Sequence, residues 1–471
     1  MIRFLNAYFP ARTLFLGISE VCLIALSFTA AAIVRLGTYD AAVMLNYEQG
    51  FLKIVALSGI LMFCMYYFDL YNTSILSNQR EILSRLVQAL GTMCIGLAVL
   101  YYLYPPLELG RGIIFVGLCF VLVVLVLWRV LFLTLNQKSR FTERTVIFGD
   151  GPSAIAISRE LELRPELGIK VVGKLSTECN GKYELSSEQR SPFSTTDAST
   201  TSDLWSAIGQ QRVSRIIVAL DERRGKLPVD LLLAMKNRGV RIQDGTEVYE
   251  QVTGKVPIES LRLGTLLFSS GFQLSRFLVA YKRFASIVVS VFGLVVTLPL
   301  LPFIALAIKL SSPGNLLYHQ KRIGKDGVVF YCHKFRTMRA DAEADTGPTW
   351  AGDEDPRITS VGRLLRITRA DEIPQLWNVL KGDMSLVGPR PERPEFIEQL
   401  KQAIPFYDLR HTVRPGITGW AQIRYRYGNC VEDAKEKLRY DLFYIKNMSP
   451  GLDALIVFET AKTILLGRGA R

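Results

Sequence analysis

With 471 residues the chain is too long for one ordinary hydrophobic core, and its length predicts about three domains. Hydrophobic residues make up 49% of the sequence and mean hydropathy is positive, which excludes a wholly soluble protein and predicts that part of the chain lies in a bilayer. The net charge of +13 fits contact with anionic lipid. Nucleic acid is excluded as a partner, because the basic residues follow no aromatic-interleaved stripe or DNA-reading motif.

Cysteine and histidine spacing argues against a zinc site or a disulfide framework. The seven cysteines are scattered, and no pair has metal-ligand or redox spacing. The three histidines form no close cluster either. The soluble part of the chain is therefore predicted to lie in a reducing compartment.

Four apolar stretches open the chain: residues 14–36, 51–70, 86–104 and 113–135. Each approaches the ~20 residues that cross hydrocarbon as a helix, and their basic flanks fall on one side if the stretches alternate in direction. The positive-inside rule then predicts a four-helix transmembrane region, residues 1–140, with the N-terminus and all later residues in the cytoplasm. Glu20, inside the first stretch, is either a functional carboxylate or a polar residue that faces the helix bundle.

Residues 141–255 alternate strand-like and helix-like segments. The strand-like runs are TVIFGDG, KVVGKLS and SRIIVAL, and helical stretches begin near Ala154 and Pro228. This rhythm predicts a Rossmann-like cytoplasmic α/β domain, in which the polar Ser/Thr-rich segment 186–203 forms a mobile loop. Loop 149–154 fits either a phosphate-binding turn or a tight strand–helix turn, since no acidic residue ends the second strand to hold a ribose.

A fifth apolar stretch, residues 284–310, is long enough to span a bilayer, at about 40 Å if fully helical. Both of its flanks are strongly basic, whereas a true span would place one basic cluster outside the cytoplasm. Pro299 and Pro302 interrupt the stretch, where each removes a helical donor and crowds the preceding turn. The combination predicts a re-entrant helix that enters one leaflet and returns, with its break at Pro299.

Asp371 and Glu372 form a carboxylate pair in the charged C-terminal third. Pro374 predicts that a helix begins beside Asp371, so a helix cap and a dipole contact would explain the pair without any chemistry. Three arginines closely precede the pair, however, and the Gly-Pro-Arg-Pro sequence 388–391 follows it. Arginines at a helix N-terminus predict a phosphate cradle, in which the carboxylate acts as a nucleophile on phosphorus or as a ligand of a divalent metal.

The motifs LVGPRPERPE, KFRTM and VRPGITGWAQ, together with the Asp371–Glu372 pair, resemble those of the bacterial polyprenyl-phosphate sugar-1-phosphate transferases, the monotopic phosphoglycosyl transferases. The resemblance is dense over residues 280–471, and the whole chain is similar to the larger members, which initiate exopolysaccharide or O-antigen repeat units. It implies a mainly helical catalytic domain at 281–471, joined to the α/β domain by a linker at 256–280. The fold class expected is thus a membrane helical bundle plus α/β, in the bacterial inner membrane.

The resemblance also implies a reaction. Asp371 is expected to attack the sugar-linked phosphate of a UDP-sugar, release UMP and hold a phosphosugar that undecaprenyl phosphate then takes. Glu372 is expected to assist, and Mg²⁺, the expected cofactor, is expected to be bound by or beside Asp371. Further positions expected to bind substrate phosphate or to complete the site are Arg366, Arg390, Lys334, Arg336, Arg414 and Asp441. The motifs address phosphate and lipid, so they do not identify the sugar.

Two positions depart from the family pattern. No acidic residue closely follows Lys282–Arg283, which leaves the usual ion partner of this pair open. Leu298 replaces a serine whose hydroxyl would bond to a backbone carbonyl freed by the break at Pro299. The last apolar segment, residues 451–466, either lies on the membrane surface or packs on the catalytic domain.

Two other functions are consistent with parts of the sequence. A nucleotide-sugar oxidoreductase or epimerase would rest on loop 149–154, but the Tyr-x-x-x-Lys pair of short-chain enzymes is missing. A non-enzymatic membrane scaffold of a polysaccharide assembly complex would leave the Arg-rich motif region without a purpose. Membrane lipids are expected partners in any case, and a four-helix membrane part favours a homodimer.

Overall fold

The computed structural model of the chain describes residues 2–4, 7–47, 49–72, 79–137, 142–177, 183–186, 196–198, 212–221, 227–261, 270–272, 275–339, 355, 357–425 and 430–466. Apart from the first eight residues, the chain divides into two compact units, residues 9–245 and residues 246–471. Two short strands, β1 (Ile2–Phe4) and β2 (Ala7–Phe9), pair with each other near the N-terminus.

Apolar helices open the first unit: α1 (Ala11–Leu36), α2 (Thr38–Tyr47), α3 (Gly50–Tyr67), α4 (Gln79–Leu103) and α5 (Arg111–Gln137). They include the helices predicted from the four apolar stretches. Phe28, Leu61, Leu86 and Val121 are fully buried between them. A β-carbon on Gly117 would overlap the Phe28 ring, so this glycine allows α1 and α5 to pack closely. Two of the basic flanking residues, Lys138 and Arg140, lie outside the described residues.

Glu20 lies fully buried within this bundle. Its carboxylate accepts hydrogen bonds from Arg129 Nε at 2.6 Å and from the Tyr71 hydroxyl at 2.5 Å. Arg129 also donates to the carbonyl of Leu70 at 3.1 Å. Of the two alternatives for Glu20, these contacts favour the bundle-facing polar residue, because a charge in an apolar bundle is tolerated when it is paired.

The α/β part of the first unit contains β3 (Glu143–Phe148), α6 (Pro152–Glu162), β4 (Ile169–Thr177), β5 (Tyr183–Ser186), β6 (Thr196–Ala198), β7 (Arg215–Val218), α7 (Val229–Asn237) and β8 (Arg241–Asp244). The strand order is β6-β5-β4-β3-β7-β8. The four strands β4, β3, β7 and β8 run parallel, and β5 and β6 are antiparallel additions at one edge. Most of the predicted mobile loop 186–203 lies outside the described residues.

Close packing explains the glycines of loop 149–154. Gly149 has φ +132°, and a β-carbon there would overlap the carbonyl of Ala219 at the end of β7. A β-carbon on Gly151 would overlap the Asp221 carboxylate, which also accepts a hydrogen bond from Ser153. A tight strand–helix turn therefore accounts for this loop.

The second unit begins with α8 (Gly245–Thr253) and continues with α9 (Arg276–Thr297), α10 (Leu301–Ser311), β9 (Leu317–Ile323), β10 (Val329–Phe335), α11 (Ser360–Ile367), α12 (Gln375–Lys381), β11 (Ser385–Val387), α13 (Pro394–Ala403), β12 (Gly416–Thr418), α14 (Trp420–Arg424), α15 (Val431–Lys446) and α16 (Pro450–Leu465). Strands β9 and β10 form an antiparallel hairpin, and β11 pairs in parallel with β12.

Three residues of 3-10 helix, Leu298–Leu300, interrupt the long apolar segment between α9 and α10 at Pro299. The Thr297 hydroxyl donates to the carbonyl of Gly293 at 2.7 Å, whereas the carbonyl that Pro299 deprives of its helical donor is that of Val295, so Thr297 does not replace the hydroxyl expected at position 298. At the start of the segment, Lys282 forms its ion pair with Asp453 of α16, at 2.7 Å. The acidic partner that the sequence left open for Lys282 is therefore Asp453, a residue distant in sequence.

Helix α16 packs against the rest of the second unit, which agrees with the second alternative for the last apolar segment. Leu452 and Ile456 are fully buried, and Thr460 and Thr418 share a hydrogen bond of 2.6 Å between their hydroxyls. The basic tail residues Arg468 and Arg471 lie outside the described residues.

Helical stretches long and apolar enough to cross a membrane occur at residues 11–36, 50–67, 80–103, 111–135 and 276–311. Together with the parallel sheet, they confirm the predicted class of membrane helices plus α/β. The predicted division at residues 140, 255 and 280 stays a prediction. Lys255 belongs to the second unit, where it forms an ion pair with Glu436.

Candidate active site

Asp371 and Glu372 lie on a single turn of 3-10 helix, Ala370–Glu372, between α11 and α12. Arg369, just before the turn, has φ +54°, a left-handed conformation that ends α11 and redirects the chain. Both carboxylates are buried, with about one-tenth of each residue exposed. Helix α12 begins only at Gln375 and its N-terminus has no side-chain cap, so the alternative in which Asp371 caps this helix is wrong.

Three cations surround Glu372. Arg390 donates to its Oε1 at 2.7 Å, Lys334 Nζ lies 3.6 Å from the same oxygen, and an Arg369 nitrogen lies 3.9 Å from Oε2. Burial alone would raise the pKa of Glu372, but the positive charges of Arg390, Lys334 and Arg369 outweigh it and lower this pKa to about 2. Glu372 is therefore ionised and neutralised by its neighbours at any physiological pH.

Asp371 differs from its neighbour, because it has no hydrogen-bond or ion-pair partner among the described residues. Burial raises the pKa of Asp371, and the negative charge of Glu372 raises it further, while Lys334, Arg390 and Arg366 oppose the shift. Adjacent carboxylates whose pKa values are pushed apart commonly have separate chemical roles. Here Glu372 is paired with the cations, whereas Asp371 keeps its buried carboxylate outside these ion pairs.

Arg366 approaches the pair from the last turn of α11. Its Nε donates to the hydroxyl of Thr337 at 3.0 Å, and its charge is among those that act on Asp371. The start of α11 is held by Thr359, whose hydroxyl caps the amide of Gly362 at 2.9 Å. A β-carbon on Gly362 would overlap the backbone of Thr337, so only glycine lets α11 pack this closely.

The loop that carries Arg390 is held by backbone contacts between two motifs. Gly388 donates to the carbonyl of Thr418 at 2.9 Å, and Gly416 donates to that of Pro389 at 2.9 Å. A β-carbon on either glycine would overlap the backbone of the other motif. The glycines in LVGPRP and VRPGITG therefore allow the two backbones to touch, which brings Arg390 to Glu372.

Asp441 lies behind this loop and contacts a residue that the sequence interpretation missed. Arg410 donates to Asp441 at 2.9 Å and to the carbonyl of Arg390 at 2.9 Å, and both Arg410 and Asp441 are almost completely buried. Burial raises the pKa of Asp441 to about 6 despite the positive charge of Arg410. Arg410 stands four residues before the VRPG motif residue Arg414, and this proximity was the available signal for it.

The structure brings together some of the predicted phosphate-binding residues and separates others. Arg366, Arg390 and Lys334 surround the carboxylate pair. Arg336 instead donates to the carbonyls of Ser312 and Pro313 after α10, at 2.6 and 2.9 Å. Arg414 lines a separate pocket with Arg283.

Comparison with known proteins gives two family matches. Residues 277–467 match the model of the family described as bacterial sugar transferase. Residues 66–243 match the model described as CoA-binding domain, a range that includes α4 and α5 as well as the α/β part of the first unit. The carboxylate pair and its cations lie within the first match.

Three named relatives align with the chain. The UDP-glucose:undecaprenyl-phosphate glucose-1-phosphate transferase of Xanthomonas campestris pv. campestris is 30% identical, over 98% of this chain and 96% of the relative. The transferase of the same name from Klebsiella pneumoniae is 34% identical, over 69% of this chain and 68% of the relative. The UDP-N-acetylgalactosamine-undecaprenyl-phosphate N-acetylgalactosaminephosphotransferase of Aeromonas hydrophila is 45% identical, over 48% of this chain and 52% of the relative.

Proposed function

The chain belongs to the bacterial sugar transferase family of undecaprenyl-phosphate sugar phosphotransferases, and we propose that it transfers a sugar 1-phosphate from a UDP-sugar to undecaprenyl phosphate and releases UMP. The proposed product, undecaprenyl-diphosphate-sugar, begins an exopolysaccharide or O-antigen repeat unit. One observation carries the chemistry: the buried carboxylate of Asp371, which has no hydrogen-bond or ion-pair partner in the ranges that the structure describes, lies beside a neutralised Glu372 within a cluster of cations.

The proposed reaction has two displacements at one phosphorus atom. An Asp371 oxygen attacks the sugar-linked phosphorus of the UDP-sugar, and the bond from that phosphorus to the bridging oxygen breaks, so UMP leaves with the electron pair. A phosphate oxygen of undecaprenyl phosphate then attacks the phosphosugar on Asp371, and the carboxylate is regenerated. Splitting a difficult transfer into two steps is the general advantage of a covalent intermediate.

The cations of the cluster have distinct proposed roles. Arg366 and Lys334 lie where they can stabilise negative charge that develops on the transferring phosphoryl group. Arg390 holds Glu372, which in turn keeps Lys334 and Arg369 oriented. Glu372 thereby assists without forming a bond to the substrate.

A magnesium ion fits this donor set. Mg²⁺ in phosphoryl-transfer sites is held by one or two carboxylates together with substrate phosphates. Asp371 offers such a carboxylate, while Glu372 is occupied by its cations. The described residues contain no group of three or more His, Cys, Asp or Glu side chains that would hold a metal alone. A bound Mg²⁺ would supply charge stabilisation for the diphosphate, and it would depend on the substrate for its remaining ligands.

A re-entrant arrangement of α9 and α10 is supported by the anchors at both ends of the segment. Lys282 pairs with Asp453 at the first end, and Arg336 holds the carbonyl of Ser312 at the second. All of these residues belong to the second unit, which supports the proposal that both ends lie on the same side of the membrane. A straight helix over residues 276–311 would be about 54 Å long, well beyond the ~30 Å hydrocarbon core. The proposed location of the second unit is the cytoplasmic face of the bacterial inner membrane. Four further membrane-spanning helices are predicted in the first unit, and a homodimer is predicted for the protein.

The nucleophile is tested by Asp371→Asn in the purified full chain. Wild-type protein with magnesium, undecaprenyl phosphate and a panel of UDP-sugars should release UMP, and the relatives' names make UDP-glucose and UDP-N-acetylgalactosamine the first donors to test. We expect Asp371→Asn to lower turnover on the order of 10³-fold or more. Asp408→Asn, which removes an exposed carboxylate, is the matched control and should retain activity. Unchanged turnover in Asp371→Asn would contradict the proposal.

Membrane topology is tested by single cysteines placed near the break at Pro299 and labelled from outside the cell. A re-entrant segment should leave these cysteines unreactive to membrane-impermeant reagents applied from the periplasm. Labelling of residues after the break from that side would show a true span.

A further inference from the structure

Asn378 lies on α12 and is fully buried, although its side chain is polar. This side chain contacts the backbone of β10: its Oδ1 accepts from the amide of His333 at 3.0 Å, and its Nδ2 donates to the carbonyl of Tyr331 at 2.7 Å. Nδ2 also donates to an Asp383 carboxylate oxygen at 3.3 Å. Burial of a polar side chain costs free energy unless it is hydrogen-bonded, and these contacts remove that cost.

The two backbone contacts of Asn378 take the place of a neighbouring strand. Strand β10 pairs with β9 along one edge, and within the part of the chain that the structure describes no strand pairs with its other edge. One residue of an adjacent parallel strand would accept from His333 and donate to Tyr331, and the Asn378 amide does both. The orientation of this amide follows from its partners, because a backbone N–H needs an acceptor and a carbonyl needs a donor.

Asn378 thereby joins the two elements that carry the candidate active site. Lys334 directly follows His333 in β10, whereas Asp371 and Glu372 lie on the turn just before α12. Lys334 Nζ lies 3.6 Å from Glu372 Oε1. The position of this lysine relative to the carboxylate pair therefore depends on how β10 lies against α12.

Apolar packing alone does not fix where β10 lies along the helix. Phe330 and Cys332 of β10 form a buried cluster with Val379 and Met384, but apolar contacts have no preferred direction. Hydrogen bonds depend on both distance and angle. A slip of β10 by one residue would move the strand by about 3.3 Å and turn the Lys334 side chain to the opposite face. The amide contacts exclude this slip.

We propose that Asn378 is a positioning residue of the active site, which holds the free edge of β10 and so keeps Lys334 beside the Asp371–Glu372 pair. Asn378 acts on the reaction only through the position of this lysine. The inference rests on the proposed transferase reaction, in which Lys334 stabilises negative charge on the transferring phosphoryl group.

A double-mutant cycle in the purified full chain tests this role. UMP release is measured with magnesium, undecaprenyl phosphate and whichever of UDP-glucose and UDP-N-acetylgalactosamine the wild type turns over. Lys334→Met should lower kcat/KM on the order of 10²-fold. Asn378→Ala should lower it about tenfold or more, because it misplaces the lysine. The double variant should stay within about twofold of Lys334→Met alone, since an absent lysine cannot be misplaced.

Asn447→Ala is the matched control for the loss of a buried asparagine. Asn447 lies at the end of α15, and its Nδ2 donates to the carbonyl of Phe443 at 3.0 Å. That hydrogen bond involves no residue of β10, so Asn447→Ala should retain most of the UMP release, and any loss should multiply with that of Lys334→Met. Thermal unfolding shows whether each variant is folded. If Asn378→Ala does not fold, Asn378→Ser, which keeps a polar group at the same position, replaces it in the cycle.

Three results would overturn the positioning role. Losses that multiply in the double variant would show that Asn378 acts independently of Lys334. Unchanged UMP release in folded Asn378→Ala would show that β10 keeps its place without the amide. The same coupling in Asn447→Ala would show that the effect is not specific to β10. Each of these results, obtained with an active wild type, leaves the proposed transferase reaction unaffected, whereas a wild type that releases no UMP would contradict that reaction and the positioning role together.

Discussion

Replacing Glu372 by glutamine removes one negative charge from the centre of the cation cluster and keeps the shape of the side chain. The wild-type carboxylate accepts from Arg390 at 2.7 Å and lies 3.6 Å from Lys334 and 3.9 Å from Arg369. A neutral amide cannot balance these three charges, which are at most about one-quarter exposed. We therefore expect Glu372→Gln to destabilise the second unit at neutral pH.

The size of this effect follows from the pKa of Glu372. Its surroundings lower the pKa from 4.5 to about 2, and at ~1.36 kcal/mol per pH unit this corresponds to about 3 kcal/mol in favour of the folded, ionised state. Because the pKa in the folded state lies below the unfolded value, the contribution is complete above pH 4.5 and is lost as the pH falls toward about 2. The stability gap between wild type and variant should shrink over the same range.

Denaturant unfolding of the purified full chain, followed by tryptophan fluorescence at about pH 7 and at two acidic pH values, measures this gap. Glu395→Gln on α13 is the matched control, because Glu395 is exposed and pairs loosely with Arg393 at 3.7 Å. Its free energy of unfolding should change by no more than about 0.5 kcal/mol. Equal stability of Glu372→Gln and wild type at neutral pH, or a gap that stays constant in acid, would refute the charge-cluster argument.

The remaining predictions concern the parts that surround the carboxylate pair. Lys334→Met should move the acidic limb of the pH profile of UMP release to higher pH, because the charge of Lys334 lowers the pKa of Asp371. An unchanged acidic limb would show that Lys334 does not influence the pKa of the nucleophile. Gly416→Ala should cost about 1–3 kcal/mol in thermal or denaturant unfolding by forcing two backbones apart, whereas Gly96→Ala, with open space for a β-carbon, should not destabilise. Arg410→Met should lower UMP release about tenfold, since it removes one charge-assisted hydrogen bond, of about 1.5 kcal/mol, from the loop that carries Arg390. Full activity would show that this loop keeps its position without Arg410.

Most of the elements could be predicted from the sequence because their causes are local. Long apolar runs predicted α1, α3, α4 and α5, and the alternation of strand-like and helix-like segments predicted β3, β4 and β7. The break near Pro299 followed from the missing amide donor of proline. In each case neighbouring residues alone determine the outcome.

Pairing between distant charges could not be predicted in this way. The residues that follow Lys282 in the sequence offer it no acidic partner, and in the structure it pairs with Asp453, 171 residues later. Arg410 was missed, although it connects Asp441 to the loop of Arg390. Such pairs depend on which backbone segments approach each other.

The chemical types at the candidate site were determined by the sequence: two carboxylates, clustered arginines and glycine-rich motifs, adjacent to an apolar segment. Which carboxylate stays unpartnered was decided only by the tertiary structure. Contact between the backbones at Gly388 and Gly416 brings Arg390 to Glu372, while Asp371 has no hydrogen-bond or ion-pair partner within the described part of the chain. The physical reason is that a side chain's charge acts over a few ångströms, while the distances between segments are set by packing of the whole unit.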